Sequence, residues 1–130
     1  MTLDLERVVA IDVHTHAERS TRQPQDPVDA ELIAAAARYF GSTPNPRTAQ
    51  ELADYYRERS MLAVMFTIDD EAGMGRRRIA NEELLEVAAA NADVLIPFAS
   101  IDPHKGKLGV LEARTMIDAG ARGFKFHPNT

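Results

Sequence analysis

The chain contains no cysteine. Disulfides and thiolate zinc sites are therefore excluded, and a reducing compartment is compatible. A long apolar run is also missing: no stretch approaches the roughly 20 residues of a membrane-spanning helix. Residues 1–7 carry Asp4 and Glu6 and no apolar segment, so they do not read as a signal peptide. A cytoplasmic protein without membrane contact is the expectation. An excess of basic residues is lacking too. Lys and Arg number 15 against 20 Asp and Glu, for a net charge of −5, which argues against nucleic acid as a partner. What the chain does have is apolar content of 45%, enough for a buried core and against disorder. Its 130 residues suit one small domain. They are also about half of the ~250 residues of an eight-stranded α/β barrel.

Apolar, β-branched residues from Val8 to Val13 predict a buried first strand. Asp26-Pro27 reads as an N-cap followed by proline at the first helical position. Leu32, Ile33, Ala36, Tyr39 and Phe40 then fall at helical spacing, and Gly41 closes the helix. Thr48 and Glu51 form a capping box for a second helix to about Arg59. A second strand is predicted over 61–68, a polar loop over 69–78, and a helix capped by Asn81. A third strand follows over 94–101, ended by Asp102-Pro103. A helix over 107–119, stopped by Gly120, leads to a fourth strand over 122–127. Strands alternating with helices, the last three starting about thirty residues apart, imply parallel strands and right-handed crossovers. No helix follows the fourth strand. The pattern therefore predicts the N-terminal half, strands 1–4, of a (β/α)8 TIM barrel, one partial domain over 1–130 truncated after strand 4.

His14-Thr15-His16 ends the first strand. Side chains at i and i+2 of a strand share a face, with Cα atoms roughly 6–7 Å apart, so two imidazoles can lean onto one metal ion. Ligands gather at the C-terminal ends of parallel strands, where this pair sits. The same parity turns Asp12 inward and Ile11 and Val13 toward the helices. The alternative is two surface or capping histidines. On the fourth strand Phe124 and Phe126 share one face, to pack under helices, while Lys125 and His127 share the other and point toward the catalytic rim. His127 and Lys125 are the candidate catalytic residues. The alternative makes His127 a loop start and Lys125 a snorkelling surface chain.

Weaker signals lie in the loops. Arg76, Arg77 and Arg78 form a cluster that can hold a carboxylate or a phosphate-bearing carrier, or else a solvated run facing Asp69, Asp70 and Glu71. Arg76, Arg77 and Asp102 are taken as candidate substrate-binding residues. Asp102 also reads as an outer partner of a metal-bound histidine, or as a plain turn residue. Thr67 and Asp69 carry a similar, fainter hint, and His104, beside Lys105 and Lys107, reads as solvated.

Ile11-Asp12-Val13-His14-Thr15-His16 on a first strand, with Gly123-Phe124-Lys125-Phe126-His127-Pro128 on a fourth, resembles the amidohydrolase-related family of metal-dependent barrels. The fourth-strand element and Ile96-Pro97-Phe98-Ala99-Ser100-Ile101-Asp102-Pro103 are similar to the branch holding both hydrolases and carboxy-lyases. Within it, the similarity points to members described as 4-hydroxyphenyl-β-ketoacyl-CoA hydrolases. The resemblance implies a divalent metal, usually zinc, bound by His14 and His16, with further ligands from fifth and eighth strands. It implies a hydrolase in which metal-activated water attacks an amide, ester or β-ketoacyl thioester carbonyl. The alternative within the family is a metal-dependent decarboxylase, and outside it a small non-catalytic α/β binding domain. The expected substrate is a small carboxylated aromatic or acyl-CoA-like molecule, and a homo-oligomer is compatible. By itself the 130-residue chain is expected to be an inactive fragment, because two histidines leave a metal underbound.

Overall fold

The computed structural model describes residues 5–128. Asp4, which weighed against a leader segment, lies outside them. Four strands, β1 (Ala10–His16), β2 (Met61–Phe66), β3 (Leu95–Ser100) and β4 (Gly123–Lys125), form one parallel sheet in the order β1-β2-β3-β4. A doubly wound sheet would reverse its strand order at a switch point; this one runs on in sequence, as a barrel does. The helices are α1 (Pro27–Phe40), α2 (Ala49–Arg57), α3 (Glu71–Met74), α4 (Asn81–Ala90) and α5 (Lys107–Asp118).

Side chains of α2 and α4, among them Leu52, Ala53, Tyr56, Leu84 and Ala88, pack with Ala63, Met65 and Leu95 of the sheet. A smaller cluster joins Leu85 and Met116 to Ala99 and Phe124, which sets α5 on the same side. All the packed helices thus cover one face. By strand alternation Leu62, Val64 and Phe66 line the other. This is the half-barrel sheet of the first four strands of a (β/α)8 barrel, as the sequence pattern predicts. The approach of β3 to β4 depends on a missing side chain. A Cβ on Gly123 would come within 2.5 Å of the far end of the Phe98 ring across the pair, so a side chain there would force that ring to move.

Helix ends follow the local signals closely. The Asp26 carboxylate accepts from Val28 N and caps α1, and Gly41, at φ 63°, ends it in the left-handed region. α1 buries none of its side chains. Thr48 and Glu51 form the reciprocal capping box on α2. The Thr48 backbone N–H, joined by Arg19, holds the Glu51 carboxyl down at about 2. A depressed carboxyl contributes stability above its ordinary value near 4.5 and loses it as pH falls through about 2. Thermal melts should therefore show wild type above Glu51→Gln by a constant margin at pH 6–7. The margin should shrink below pH 4.5 and close near pH 2; an unchanged margin there would remove the capping box as its cause.

Several sequence expectations change: β2 and β4 are shorter than predicted, and three local readings differ. Asn81 does not cap α4, whose N-cap is Ala80. It is buried, and its amide donates to Ser100 O and accepts from Ser100 N, tying α4 to the end of β3. The 69–78 loop contains the single turn α3. The largest change is in β1, where the register slips between Asp12↔Ala63 and Thr15↔Met65, a β-bulge that inserts one residue. The bulge reverses the parity before it. Asp12 lies on the helix side, where its Oδ2 accepts from Tyr56 OH at 2.7 Å, and Ile11 and Val13 lie on the exposed opposite face.

Candidate metal and catalytic site

The bulge decides how the two histidines are presented. Asp12 Oδ1 accepts from His14 N at 3.0 Å and Thr15 Oγ1 donates to Val64 O at 2.8 Å, pinning both sides of the inserted residue. His14 and His16 then stand side by side, with ring planes 1° apart and centroids 5.1 Å apart. Their Nε2 atoms converge to 3.0 Å. Both rings lean on Phe66, at 5.3 and 4.9 Å between centroids. Lys125 Nζ lies 4.8 Å from the centroid of the same ring. Phe66, at the end of β2, is thus an apolar floor that carries three candidate residues at once. The sequence pattern alone did not single it out, although its position near the end of an apolar strand was the available signal.

Burial pushes His16 down to about 4, with His14, Lys125 and His127 adding electrostatic opposition to its protonation. His16 is therefore neutral at physiological pH, the form in which imidazole binds a metal. The pair fits such an ion. Two nitrogens at ~2.0–2.1 Å from a tetrahedral zinc lie roughly 3.3–3.4 Å apart, a few tenths of an ångström beyond the observed separation. Among the described residues no group of three or more His, Cys, Asp or Glu gathers to hold a metal, so the pair stands as two donors.

β4 ends at Lys125, two residues short of the expected strand, so His127 follows it in the connecting segment, where its Nδ1 lies 3.3 Å from Asp70 Oδ2. Phe124 packs under the helices as expected, while Phe126 is half exposed. A cavity of about 110 Å³ opens beside His16. It is lined by Glu18, by Leu32 and Ile33 of α1, by Thr67, and by Arg76, Arg77 and Arg78. Burial raises the Glu18 carboxyl. The arginines differ in how far they are engaged. Arg76 clamps Asp70 through Nε and Nη2, both at 2.6 Å, and reaches Asp29 of α1. Arg78 pairs with the buried Asp69 at 2.8 Å and with Glu112. Arg77 is exposed, and its guanidinium donates to Pro24 O. Asp102 is fully buried and lies away from this cavity. Its carboxylate accepts from Ala72 N and His104 N, and His104 Nδ1 lies 3.0 Å from it.

A barrel-order parallel sheet with converging histidines at the end of its first strand is thus in place. A family model described as Amidohydrolase matches residues 11–130, nearly the whole chain. The chain belongs to the amidohydrolase family. No curated protein and no solved structure matches it. Membership places this amidohydrolase chain among enzymes of a metal-dependent superfamily whose members usually bind a divalent ion. No helix among the described residues is long and apolar enough to cross a membrane.

Proposed function

We propose that this amidohydrolase chain forms part of a metal-dependent hydrolase acting on the carbonyl of an amide, ester or β-ketoacyl thioester. The observation that carries the reading is the convergence of His14 and His16 Nε2 at 3.0 Å on a rigid, bulged strand end. Zinc is the ion these imidazole donors suit, and its remaining donors come from outside the described residues. When bound, the ion supplies Lewis acidity and a water acidified toward neutrality.

The chain's own residues do the rest. Phe66 excludes water beneath the histidines and fixes their tilt. Lys125, held over the Phe66 ring, brings positive charge to where a carbonyl oxygen gains negative charge. His127 moves a proton to or from the reacting group. The substrate lies in the cavity beside His16, with its apolar part against Leu32 and Ile33 and a carboxylate or phosphate-bearing carrier on Arg77. A carboxylated aromatic or an acyl-CoA-like molecule, including a 4-hydroxyphenyl-β-ketoacyl thioester, has that combination of parts.

The cationic lining also suits a decarboxylase, which would hold a substrate carboxylate against the same arginine. The products separate the two. Incubated with zinc and such substrates, the enzyme carrying this chain should release free thiol, alcohol or amine with no carbon dioxide. Carbon dioxide release without acyl cleavage would reject the hydrolase.

A further inference from the structure

Asp70 occupies the N-cap position of α3, where an aspartate ordinarily accepts a hydrogen bond from the first turn. Its side chain makes no such bond. The carboxylate is instead turned inward and is 1% exposed. Arg76 takes it from one side in a bidentate grip, with Nε on Oδ1 and Nη2 on Oδ2, each at 2.6 Å. A carboxylate has about four acceptor positions, so this grip leaves capacity on Oδ2. His127 Nδ1 is shut off from water and lies 3.3 Å from that oxygen, within ion-pair reach but turned out of hydrogen-bond geometry, so a small ring rotation is what the bond requires. Arg76 is fixed in turn by Asp29 on α1, so the carboxylate cannot swing away from the histidine.

We propose that Asp70 is a positioning residue for His127. It holds the Nδ1 proton and so leaves Nε2, the opposite end of the ring, as the atom that exchanges protons with the substrate. A carboxylate behind an imidazole selects the tautomer and fixes the ring plane, as it does behind metal-bound and catalytic histidines elsewhere. The electrostatic path runs from α1 through Asp29, Arg76 and Asp70 to His127 and joins the cavity wall to the proton-transfer group. The proposal rests on the catalytic reading of His127, but its test does not require turnover.

The test is the histidine tautomer, read by long-range nitrogen–proton correlation on the ¹⁵N-labelled 130-residue chain above the pH of histidine titration. A His127→Gln spectrum assigns the signals. Wild type should show His127 as the Nδ1–H form. Asp70→Ala should shift it to the Nε2–H form, with His104, whose partner is Asp102, unchanged. An Nε2–H form in wild type would overturn the proposal without any variant. An Nδ1–H form that persists in a folded Asp70→Ala protein would overturn it as well. Zinc titration of the same samples keeps the two readings apart: loss of metal binding bears on the His14–His16 reading and leaves the tautomer result standing.

Discussion

Replacing His14 and His16 together by alanine is expected to abolish the chain's affinity for zinc. Losing an outer partner of a metal ligand costs roughly 10–100-fold in affinity, so losing both imidazoles exceeds about 100-fold. The site is prepared before any ion arrives. The bulge, the Asp12–His14 backbone bond and the Thr15–Val64 bond fix the strand, and Phe66 fixes the rings, so little ordering remains to oppose binding. With two donors among the described residues, the wild-type chain should bind zinc reversibly and release it to a competing chelator. Competition against a chromophoric chelator measures both forms. Equal zinc affinity in wild type and the double variant would remove the pair from the metal site. His104→Ala is the matched control, since its ring faces Asp102.

The second large effect concerns stability. Asp69 is fully buried and accepts from Lys105 Nζ at 2.7 and 2.9 Å and from Arg78 at 2.8 Å. The backbone N of Asp102 also points to it at 3.3 Å. Asp69→Ala removes the shared buried partner of two mostly buried cations, and breaking a buried pair costs about 3–5 kcal/mol. Glu71 still holds Lys105 and Glu112 still holds Arg78, so the lower end of that range, about 3 kcal/mol, is expected. Urea unfolding monitored by circular dichroism gives the number. Asp93→Ala, which breaks an exposed pair with Arg57, should cost no more than about 1 kcal/mol. A loss at Asp69 as small as that at Asp93 would show that the network does not hold the loops together.

What could be read from the sequence was local. Asp26, Gly41 and the Thr48–Glu51 box announce their helix ends because capping involves residues within one turn. Strand order followed from the alternation of periodicities. The bulge in β1 was hidden, since it exists only in the pairing of 10–16 with 61–66, and no feature of Ile11-Asp12-Val13 marks it. It reversed the placement of Asp12 while keeping both histidines on the open face. The arginines were half legible. Arg76 and Arg78 do meet Asp70 and Asp69 from the same loop, but Asp29, 47 positions away, joins them only through the fold. Asn81 misled because a residue type favoured at helix starts also makes a good bracket for a neighbouring strand.

The helix α1 has a consequence for how the enzyme changes over generations. It buries no side chain, yet its Leu32 and Ile33 wall the cavity beside His16. It is tethered through polar contacts, with Asp26 on Arg77 N and Asp29 on Arg76. Substitutions along its inner face therefore leave the hydrophobic core untouched and draw little on the stability that most mutations erode. Selection can reshape this wall while the histidines, their bulge and their phenylalanine floor stay fixed. The wall of the cavity beside His16 is thus among the parts of the molecule freest to drift.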